Sequence, residues 1–339
     1  MNYNKNSRGT LTAKKLGERK IIQIIKNNLT QMPNQPIPFG DDASAVNFGT
    51  DTVVLKTDML VKKTDIPVGM SAYQAARKSI VMNVSDFAAK GAKPTAVLVA
   101  LGLPKNTSEK EIVEIASGLN AGAQQYGAYV LGGDTNQTGD LIISISLFGS
   151  AKKNQLMLRS GAKAGDILAV TGFFGNPPAG LKLLLEKCMA SEGTRKILLD
   201  SVYMPNARLK EGLALGESGA VSASMDSSDG LALSLYTLAE MSNVGFTVEY
   251  LPVSAQTSEF AKQNSLDAAD LALYGGEEYE LVLTVKPDMW LKAEAAVKAV
   301  GGCLLPIGKA TIDKQILLEV DGEKKVILQR GWEHFKSKP

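Results

Sequence analysis

Apolar residues recur at two spacings along the chain, and the alternation between them predicts a mixed α/β protein. Leucine and isoleucine at helical spacing predict an amphipathic helix over residues 12–29, which the turn-rich, proline-containing stretch after it ends. A long helical pattern covers residues 71–92, and Ser108 with Glu111 predicts a capping box at the start of another helix. Strand patterns of the first half lie at residues 43–48, 52–57, 95–103, 129–131 and 141–148. The strand at 95–103, rich in Val, Leu and Ala, is expected to be buried.

The second half begins where the sequence changes character. A basic, glycine-containing stretch over residues 151–166 precedes an apolar strand pattern at 167–172, so we predict a domain boundary at 150/151. The predicted domains are residues 1–150 and 151–339. Further strands are predicted at residues 221–225, 246–250, 279–285 and 303–309, and further helices at 229–242 and 287–300.

Length and composition are typical of a folded, two-domain chain. The 339 residues exceed what one compact core usually holds, and 45% hydrophobic with 21% charged residues is ordinary for a globular protein. A net charge of +2 gives no global electrostatic reason to expect a nucleic-acid or lipid-surface partner. The longest apolar run, residues 96–103, is too short to cross a bilayer, and the first residues lack a signal-peptide pattern. We therefore expect a cytoplasmic protein that contacts neither nucleic acid nor membrane.

Histidine scarcity limits the chemistry that the chain can perform. His334 is the one histidine in the sequence, so a zinc site, a Ser-His-Asp triad or a Cys-His pair is disfavoured. Cys188 and Cys303 lie in apolar sequence without a CxxC partner and are predicted to be buried structural thiols. Carboxylates remain as the main candidate ligands, and their oxygens suit hard cations such as magnesium.

Several aspartates share one local pattern, in which an apolar strand is followed by Gly, Ser or Thr and then by Asp. The members are Asp42, Asp58, Asp134, Asp226 and Asp229. Asp86 lies within a helical pattern instead. Ligand sites in α/β folds often lie at such strand ends, so the pattern predicts a shared polyanion and metal site, although a helix cap or turn is the alternative for each aspartate alone. Neither a P-loop nor a Rossmann glycine motif is present in the sequence.

Eight motifs in order resemble the thiamine-monophosphate kinases, of the aminoimidazole-ribonucleotide-synthetase-like superfamily. They are FGDDA, LKTDMLV, NVSDFAAKGAKP, YVLGGDT, RSGAKAGD, SSDGL, GGEEYEL and RGWEHF, and the resemblance covers residues 40–335. It implies a two-domain architecture in which the N-terminal domain forms a shared β-barrel in a homodimer. The C-terminal α/β domain would complete the cleft. The implied activity is the phosphorylation of thiamine monophosphate to thiamine diphosphate by ATP, assisted by several Mg²⁺ ions.

The resemblance also implies roles for individual residues. The implied magnesium ligands are Asp42, Thr57, Asp58, Asp86, Asp134, Asp226 and Asp229. The implied nucleotide contacts are Gly133, Asp134, Arg159 and Ser228. The implied substrate contacts are Asp65, Glu277 and Trp332. Alternative roles are an interdomain ion pair for Arg159, a solvated loop acid for Glu277 and a core anchor for Trp332.

The chain departs from the family pattern at a few positions. Asp65 stands where many members have a substrate-contacting histidine, and Lys56 stands where serine is common. Lys62 and Lys63 could meet a substrate phosphate or form an exposed basic turn. The expected attacking group is a phosphate oxygen, whose second pKa is about 6, so no histidine base is required. Another ATP-dependent enzyme of the superfamily, or a silent nucleotide-binding protein on this fold, is the alternative function.

Overall fold

The computed structural model describes residue 16 and residues 18–27, 34, 36–38, 40–49, 51–320 and 322–335. Gln35–Gly331 form one compact unit, and the described residues before and after this segment form a smaller one. The smaller unit contains helix α1, Glu18–Asn27. This helix lies within the predicted range 12–29, of which residues 12–15, 17 and 28–29 lie outside the described residues. No helix among the described residues has the length and apolarity that a membrane span requires.

The first sheet uses residues between 44 and 151. Its strands are β1 Ser44–Phe48, β2 Asp51–Val61, β3 Lys93–Leu103, β4 Tyr129–Gln137 and β5 Ile142–Ala151. The strand order is β1-β2-β5-β3-β4, and β4 runs parallel to β3 while the other pairs are antiparallel. Helices α2 Lys62–Asp65, α3 Ala72–Lys90 and α4 Glu109–Gln125 belong to the same part of the chain. The predicted capping box of Ser108 and Glu111 is present at the start of α4.

The second sheet uses residues between 167 and 326. Its strands are β6 Ile167–Val170, β7 Val221–Ser227, β8 Gly245–Val248, β9 Glu280–Val285, β10 Leu305–Thr311, β11 Ile316–Val320 and β12 Glu323–Val326. Their order is β12-β11-β8-β10-β6-β9-β7, with β11 parallel to β8 and the other pairs antiparallel. The accompanying helices are α5 Asn176–Leu185, α6 Glu192–Tyr203, α7 Leu209–Ser218, α8 Leu231–Ser242, α9 Ala255–Gln263, α10 Ala268–Tyr274 and α11 Trp290–Ala299. Short 3₁₀ helices lie at Lys153–Gln155 and Pro287–Met289. The mixed α/β architecture is confirmed, and the boundary at 150/151 stays a prediction.

Helix α3 is buried on nearly all sides and connects the two sheets. Ser71 and Gln74 form a capping box at its start, and Gly91 ends it in a left-handed conformation with φ 63°. A side chain at Gly91 would also meet the carbonyl oxygen of Gln155 at 3.1 Å. The helix packs against α4, against β2 and β5 of the first sheet, and against β7 of the second. Charged residues on α3 are therefore held in the interior, beside both sheets.

Several strands are longer than the sequence pattern predicts, and three of them carry predicted metal ligands in the added residues. The predicted strand 52–57 continues to Val61 because β2 pairs with β5 along its length. The predicted strand 129–131 continues to Gln137 because β4 pairs with β3, and the predicted strand 221–225 continues to Ser227 because β7 pairs with β9. Asp58, Asp134 and Asp226 consequently lie inside strands, and Asp42 lies before β1, so the prediction that these aspartates follow strand ends is wrong for all four.

Two predictions of burial are also corrected. Strand β3 alternates between buried residues such as Val97 and Val99 and exposed ones such as Leu98, so only one face of it is buried. The prediction of buried thiols is wrong, because Cys303 is exposed and Cys188 is only half-buried.

Candidate active site

Three buried carboxylates from distant parts of the chain converge beside α3. They belong to Asp42 in the loop before β1, Asp86 on α3 and Asp226 on β7. One oxygen of each lies within 4.8 Å of the other two. This spacing is suitable for ligands of a single hard cation. We call these three residues the acidic cluster.

Basic side chains surround the acidic cluster, and the sequence analysis assigned a role to only one of them. The Nζ atom of Lys90 lies 2.5 Å from an oxygen of Asp41 and 2.8 Å from an oxygen of Asp42. The Arg159 guanidinium donates hydrogen bonds to Asp42 and to the carbonyl oxygen of Gly40. An ion pair was the alternative role predicted for Arg159, and Asp42 is its partner.

Lys56 is the third basic residue at the acidic cluster. Its Nζ atom lies 2.9 Å from Asp86 and 3.7 Å from Asp58. Asp58 therefore adjoins the cluster through this shared ammonium. The pKa of Lys56 is raised, because the attraction of Asp86 and Asp58 exceeds the lowering effect of burial.

The three carboxylates of the cluster differ in how easily they ionise. Burial alone would raise the pKa of Asp42, but Arg159 and Lys90 lower it below its ordinary value. Burial raises the pKa of Asp86 well above its ordinary value, although Lys56 opposes this shift. Burial and the charge of Asp42 raise the pKa of Asp226 to about 7. Without a bound cation the cluster therefore carries strong mutual repulsion, which a divalent ion would relieve.

The carboxylate oxygens of the acidic cluster support the fit of a metal ion. Asp42 Oδ2 is buried and accepts no hydrogen bond from the described residues. The Lys90 ammonium lies 2.8 Å from this oxygen and forms an ion pair with it. Carboxylate oxygens are the ligands that hard cations prefer, and the oxygens of the three cluster residues lie within 4.8 Å of one another. The donor set of the acidic cluster therefore fits magnesium.

Besides Asp58 and Arg159, which adjoin the acidic cluster, five of the predicted phosphate-site residues lie outside it in the single chain: Thr57, Gly133 and Asp134 on strands β2 and β4, and Ser228 and Asp229 after β7. Thr57 points to the opposite face of β2 from its neighbours and donates its hydroxyl hydrogen bond to the carbonyl of Ile145. Asp134 is exposed on β4, and Ser228 and Asp229 are exposed in the loop after β7. Their roles as metal or nucleotide contacts stay predictions.

The loops after β7 and before β9 touch each other through glycine residues. Gly276 approaches Ser228 so closely that a Cβ atom would lie 2.6 Å from the Ser228 carbonyl oxygen. The same oxygen accepts a hydrogen bond of 2.6 Å from the backbone N–H of Glu277. Glu277 has a left-handed φ of 68°, which is costly for a residue with a side chain and is often found at functional sites.

Lys78 links two of the predicted substrate residues. Its ammonium is buried and lies 2.5 Å from a carboxylate oxygen of Glu277, and it also donates to the backbone carbonyl of Asp65 at 3.2 Å. The Asp65 carboxylate accepts a hydrogen bond from the N–H of Val61. The alternative of a solvated acid is therefore wrong for Glu277, which is half-buried and paired.

The spacing of charged residues in the sequence could have indicated Lys78 and Lys90. Lys78, Asp86 and Lys90 are eight and four residues apart, which places them about 80° and 40° apart around a helix. Charged residues on one side of an otherwise apolar helix have to find partners when that helix is buried. Lys78 and Lys90 went unnoticed in the sequence, although Arg159 was predicted.

The remaining predicted residues occupy other surroundings. Trp332 belongs to the smaller unit, where it is 42% exposed and its ring meets that of His334 edge to face, with centroids 5.8 Å apart. This exposure disagrees with a role as a core anchor. Lys62 and Lys63 are exposed on the short helix α2, as expected for a basic surface turn.

A cavity of about 600 Å³ lies elsewhere, beside Arg208, Glu278 and Glu280. None of the residues predicted to bind metal, nucleotide or substrate lines this cavity. We place the candidate active site at the acidic cluster, because buried charges of both signs converge there.

Comparison with known proteins is consistent with this geometry. Residues 40–151 match the family described as "AIR synthase related protein, N-terminal domain". The chain is similar in structure to "AaThiL complexed with AMPPCP and TMP", with a TM-score of 0.84 and 28% identity over 96% of this chain and 99% of that one. The Escherichia coli hydrogenase maturation protein HypE shares the fold, with a TM-score of 0.68 and 20% identity over 92% of this chain and 97% of that one. Residues 40–151 are thus an AIR synthase-related N-terminal domain.

Curated relatives specify the family more closely. The thiamine-monophosphate kinase of Nitrosopumilus maritimus is 34% identical over 95% of this chain and 99% of its own length. The corresponding protein of Bacillus subtilis is 30% identical over 95% of this chain and its full length. The chain belongs to the thiamine-monophosphate kinase family, and the resemblance drawn from its motifs is confirmed.

Proposed function

We propose that this chain transfers the γ-phosphoryl group of ATP to thiamine monophosphate, forming thiamine diphosphate and ADP. The observation that carries the proposal is the convergence of Asp42, Asp86 and Asp226 in a chain of this family. An oxygen of the acceptor phosphate attacks the γ-phosphorus in line, and the bond from that phosphorus to the bridging oxygen of ADP breaks. The acceptor is already anionic near neutral pH, so the reaction needs no side chain to remove a proton.

Magnesium is the cation that we propose for the acidic cluster. When bound, it would supply positive charge between the donor and acceptor phosphates. The proposed ligands at the cluster are Asp42, Asp86 and Asp226. Thr57, Asp58, Asp134 and Asp229 are proposed, from the family resemblance, as ligands of further magnesium ions. Support comes from the convergence of the carboxylates of Asp42, Asp86 and Asp226 within 4.8 Å and from the raised pKa of Asp226. The chain itself contributes orientation, because Lys90 and Arg159 hold Asp42 from two sides.

Nucleotide contacts are proposed for Gly133, Asp134, Arg159 and Ser228. Arg159 supports this assignment, since its guanidinium is partly exposed while it donates to Asp42. A guanidinium in this position can neutralise phosphate oxygens next to the metal ligands. For Gly133 the proposal rests on the family resemblance, because the nearest atoms to an added Cβ belong to the backbone of Val99 on the paired strand β3.

Substrate contacts are proposed for Asp65, Glu277 and Trp332. The shared contact with Lys78 supports the first two, because it fixes the Glu277 carboxylate and the backbone of Asp65 at one point. A fixed carboxylate can orient the amino group of an aminopyrimidine ring. Trp332 has an exposed aromatic face, which is suitable for stacking on a cationic ring.

We also propose that the chain acts as a homodimer in the cytoplasm, with the first sheet completing a shared β-barrel. Edge strand β4 is exposed at every residue, and Tyr129 and Leu131 are 60% and 70% exposed. An exposed apolar edge strand is a ready site for pairing with another chain. The division into domains 1–150 and 151–339 belongs to the same proposal.

Light scattering after size exclusion tests the dimer. We expect a mass of about twice 36.0 kDa for the wild type and a shift towards one chain for Leu131→Lys. Leu291→Lys is the control, because Leu291 is 77% exposed on α11 of the other part of the chain. A wild-type chain that is monomeric at all concentrations would contradict the proposal.

Steady-state release of ADP, measured with and without thiamine monophosphate, tests the activity. Release should depend on both the acceptor and Mg²⁺, and Asp86→Asn or Asp134→Asn should abolish it while the fold stays intact. Asp288→Asn is the matched control, because Asp288 is exposed in a 3₁₀ helix away from the predicted site residues. ADP release that is identical with and without the acceptor would refute the proposed function. Protection by ATP without such release would favour a silent nucleotide-binding protein.

A further inference from the structure

Lys56 differs from the other basic residues at the acidic cluster in what holds it. Lys90 is fully buried and also donates to the backbone carbonyl of Ser224 at 2.9 Å, and Arg159 donates to the carbonyl of Gly40. Lys56 keeps 20% of its side chain exposed, as Arg159 does, and both of its ion-pair partners are carboxylates, those of Asp86 and Asp58. Its ammonium is therefore placed between two carboxylates that are candidate metal ligands.

The position of this ammonium matters for any ion that binds nearby. Magnesium binds carboxylate oxygens at about 2.0–2.1 Å. An ion bound to these carboxylates would therefore lie close to the Lys56 ammonium, and two positive charges at short distance repel each other. The Lys56 ammonium lies 2.9 Å from Asp86 Oδ2 and 3.7 Å from Asp58 Oδ2. A divalent ion that bridged these two carboxylates would have to displace the ammonium or share the space with it.

We propose that Lys56 is a built-in cation of the active site, standing between Asp86 and Asp58 where a divalent ion would otherwise be held. The protein then binds divalent ions at these carboxylates more weakly before nucleotide arrives than it would with a neutral residue at position 56. This inference rests on the proposed function in one respect, namely that the acidic cluster binds the metal ions of that reaction. Lys56 positions charge and needs no direct contact with the reacting atoms.

Binding of Mn²⁺ to the purified full-length chain, without nucleotide, tests the proposal. The free ion is measured by electron paramagnetic resonance at constant pH and ionic strength. Lys56→Met removes the charge and keeps an unbranched side chain, so its Kd for Mn²⁺ should be lower than that of the wild type by at least about tenfold, since one elementary charge about 4 Å away is lost. Lys56→Arg keeps the charge and should bind Mn²⁺ as the wild type does.

Lys309→Met is the matched control. Lys309 also forms an ion pair with a carboxylate, Glu249 at 2.6 Å, but it lies on strand β10 of the second sheet. Its removal should leave Mn²⁺ binding unchanged. If the Met variant does not fold, Lys56→Ser compared with Lys56→Arg provides the same contrast in charge.

Two results would overturn the proposal. Equal Mn²⁺ affinity in the Met variant and the wild type would show that the ammonium does not compete with divalent ions. Weaker binding in the Met variant would show that Lys56 only holds Asp86 in place. The Mn²⁺ affinities of the wild type and the Met variant are measured without turnover. A wild type without acceptor-dependent ADP release would therefore refute the proposed function but would not affect the comparison of these affinities.

Discussion

Asp226 is the residue at which the repulsion within the acidic cluster should be measurable as stability. Burial and the charge of Asp42 raise the pKa of Asp226 from 3.8 to about 7 in the folded chain. Relative to its value below the unfolded-state pKa, where the carboxyl is protonated in both states, the free energy of unfolding falls as pH rises. The loss is complete once pH has passed the folded-state pKa. At about 1.4 kcal/mol per pH unit, the difference amounts to about 4 kcal/mol between pH 4 and pH 8.

Asp226→Asn should remove this penalty. The variant has no charge at this position at any pH, and its side-chain oxygen can still accept the hydrogen bond of 2.8 Å from Ser85. In EDTA at pH 8 we expect its free energy of unfolding to exceed that of the wild type by up to about 4 kcal/mol, and at pH 4 the two should agree. Urea unfolding followed by circular dichroism at several pH values measures both quantities.

Asp166→Asn is the matched control for this experiment. Asp166 is equally buried, but its carboxylate accepts hydrogen bonds from the N–H of Lys163 and the hydroxyl of Ser222. Its replacement should lower stability by about 1–3 kcal/mol, since hydrogen bonds to a charged group are weakened. If Asp226→Asn unfolds at the same urea concentration as the wild type at pH 8, or if the wild type in EDTA is equally stable at pH 5 and pH 8, the reasoning is wrong. Adding Mg²⁺ at pH 8 should stabilise the wild type more than Asp226→Asn.

Two further outcomes are expected from the site and the first sheet. Trp332→Ala should raise the apparent KM for thiamine monophosphate more than that for ATP, because an aromatic face for the cationic ring is lost; equal changes in steady-state kinetics would remove its assigned role. Gly133→Ala should destabilise the pairing of β4 with β3 by about 1–3 kcal/mol, because the added Cβ would lie 1.8 Å from the Val99 carbonyl oxygen. An unchanged thermal midpoint for this variant would show that the strand pair adjusts freely.

Elements with strong local signals could be predicted from the sequence. The helix predicted over residues 71–92 is α3, Ala72–Lys90, because Ser71 and Gly91 supply caps that act within one turn of the chain. The helix predicted over 229–242 is α8, Leu231–Ser242, although it begins after Gly230 and not at Asp229. These signals depend only on neighbouring residues, so tertiary contacts change them little.

Strand ends were less predictable, because partners far along the chain determine them. The sequence Gly132-Gly133-Asp134 is typical of a turn, yet it continues strand β4 through its parallel pairing with β3. Asp58 likewise lies within β2 opposite Ile145 of β5. The strand-end pattern therefore contained two members of the acidic cluster, Asp42 and Asp226, while the third member, Asp86, lies on helix α3 and was outside that pattern.

Of the bases at the site only Arg159 was assigned a role from the sequence, and the contacts of Lys56 and Lys90 with the aspartates change the electrostatic interpretation. Asp41, Asp42, Asp58, Asp86 and Asp226 carry five formal negative charges, and Lys56, Lys90 and Arg159 lie within ion-pair distance of four of them. Two formal negative charges remain, which one divalent ion would neutralise. A count of the aspartates alone therefore overstates the negative charge that is available to metal ions before nucleotide binds. Any additional Mg²⁺ would have to depend on the phosphates of ATP for its ligands, so that metal binding and nucleotide binding become coupled.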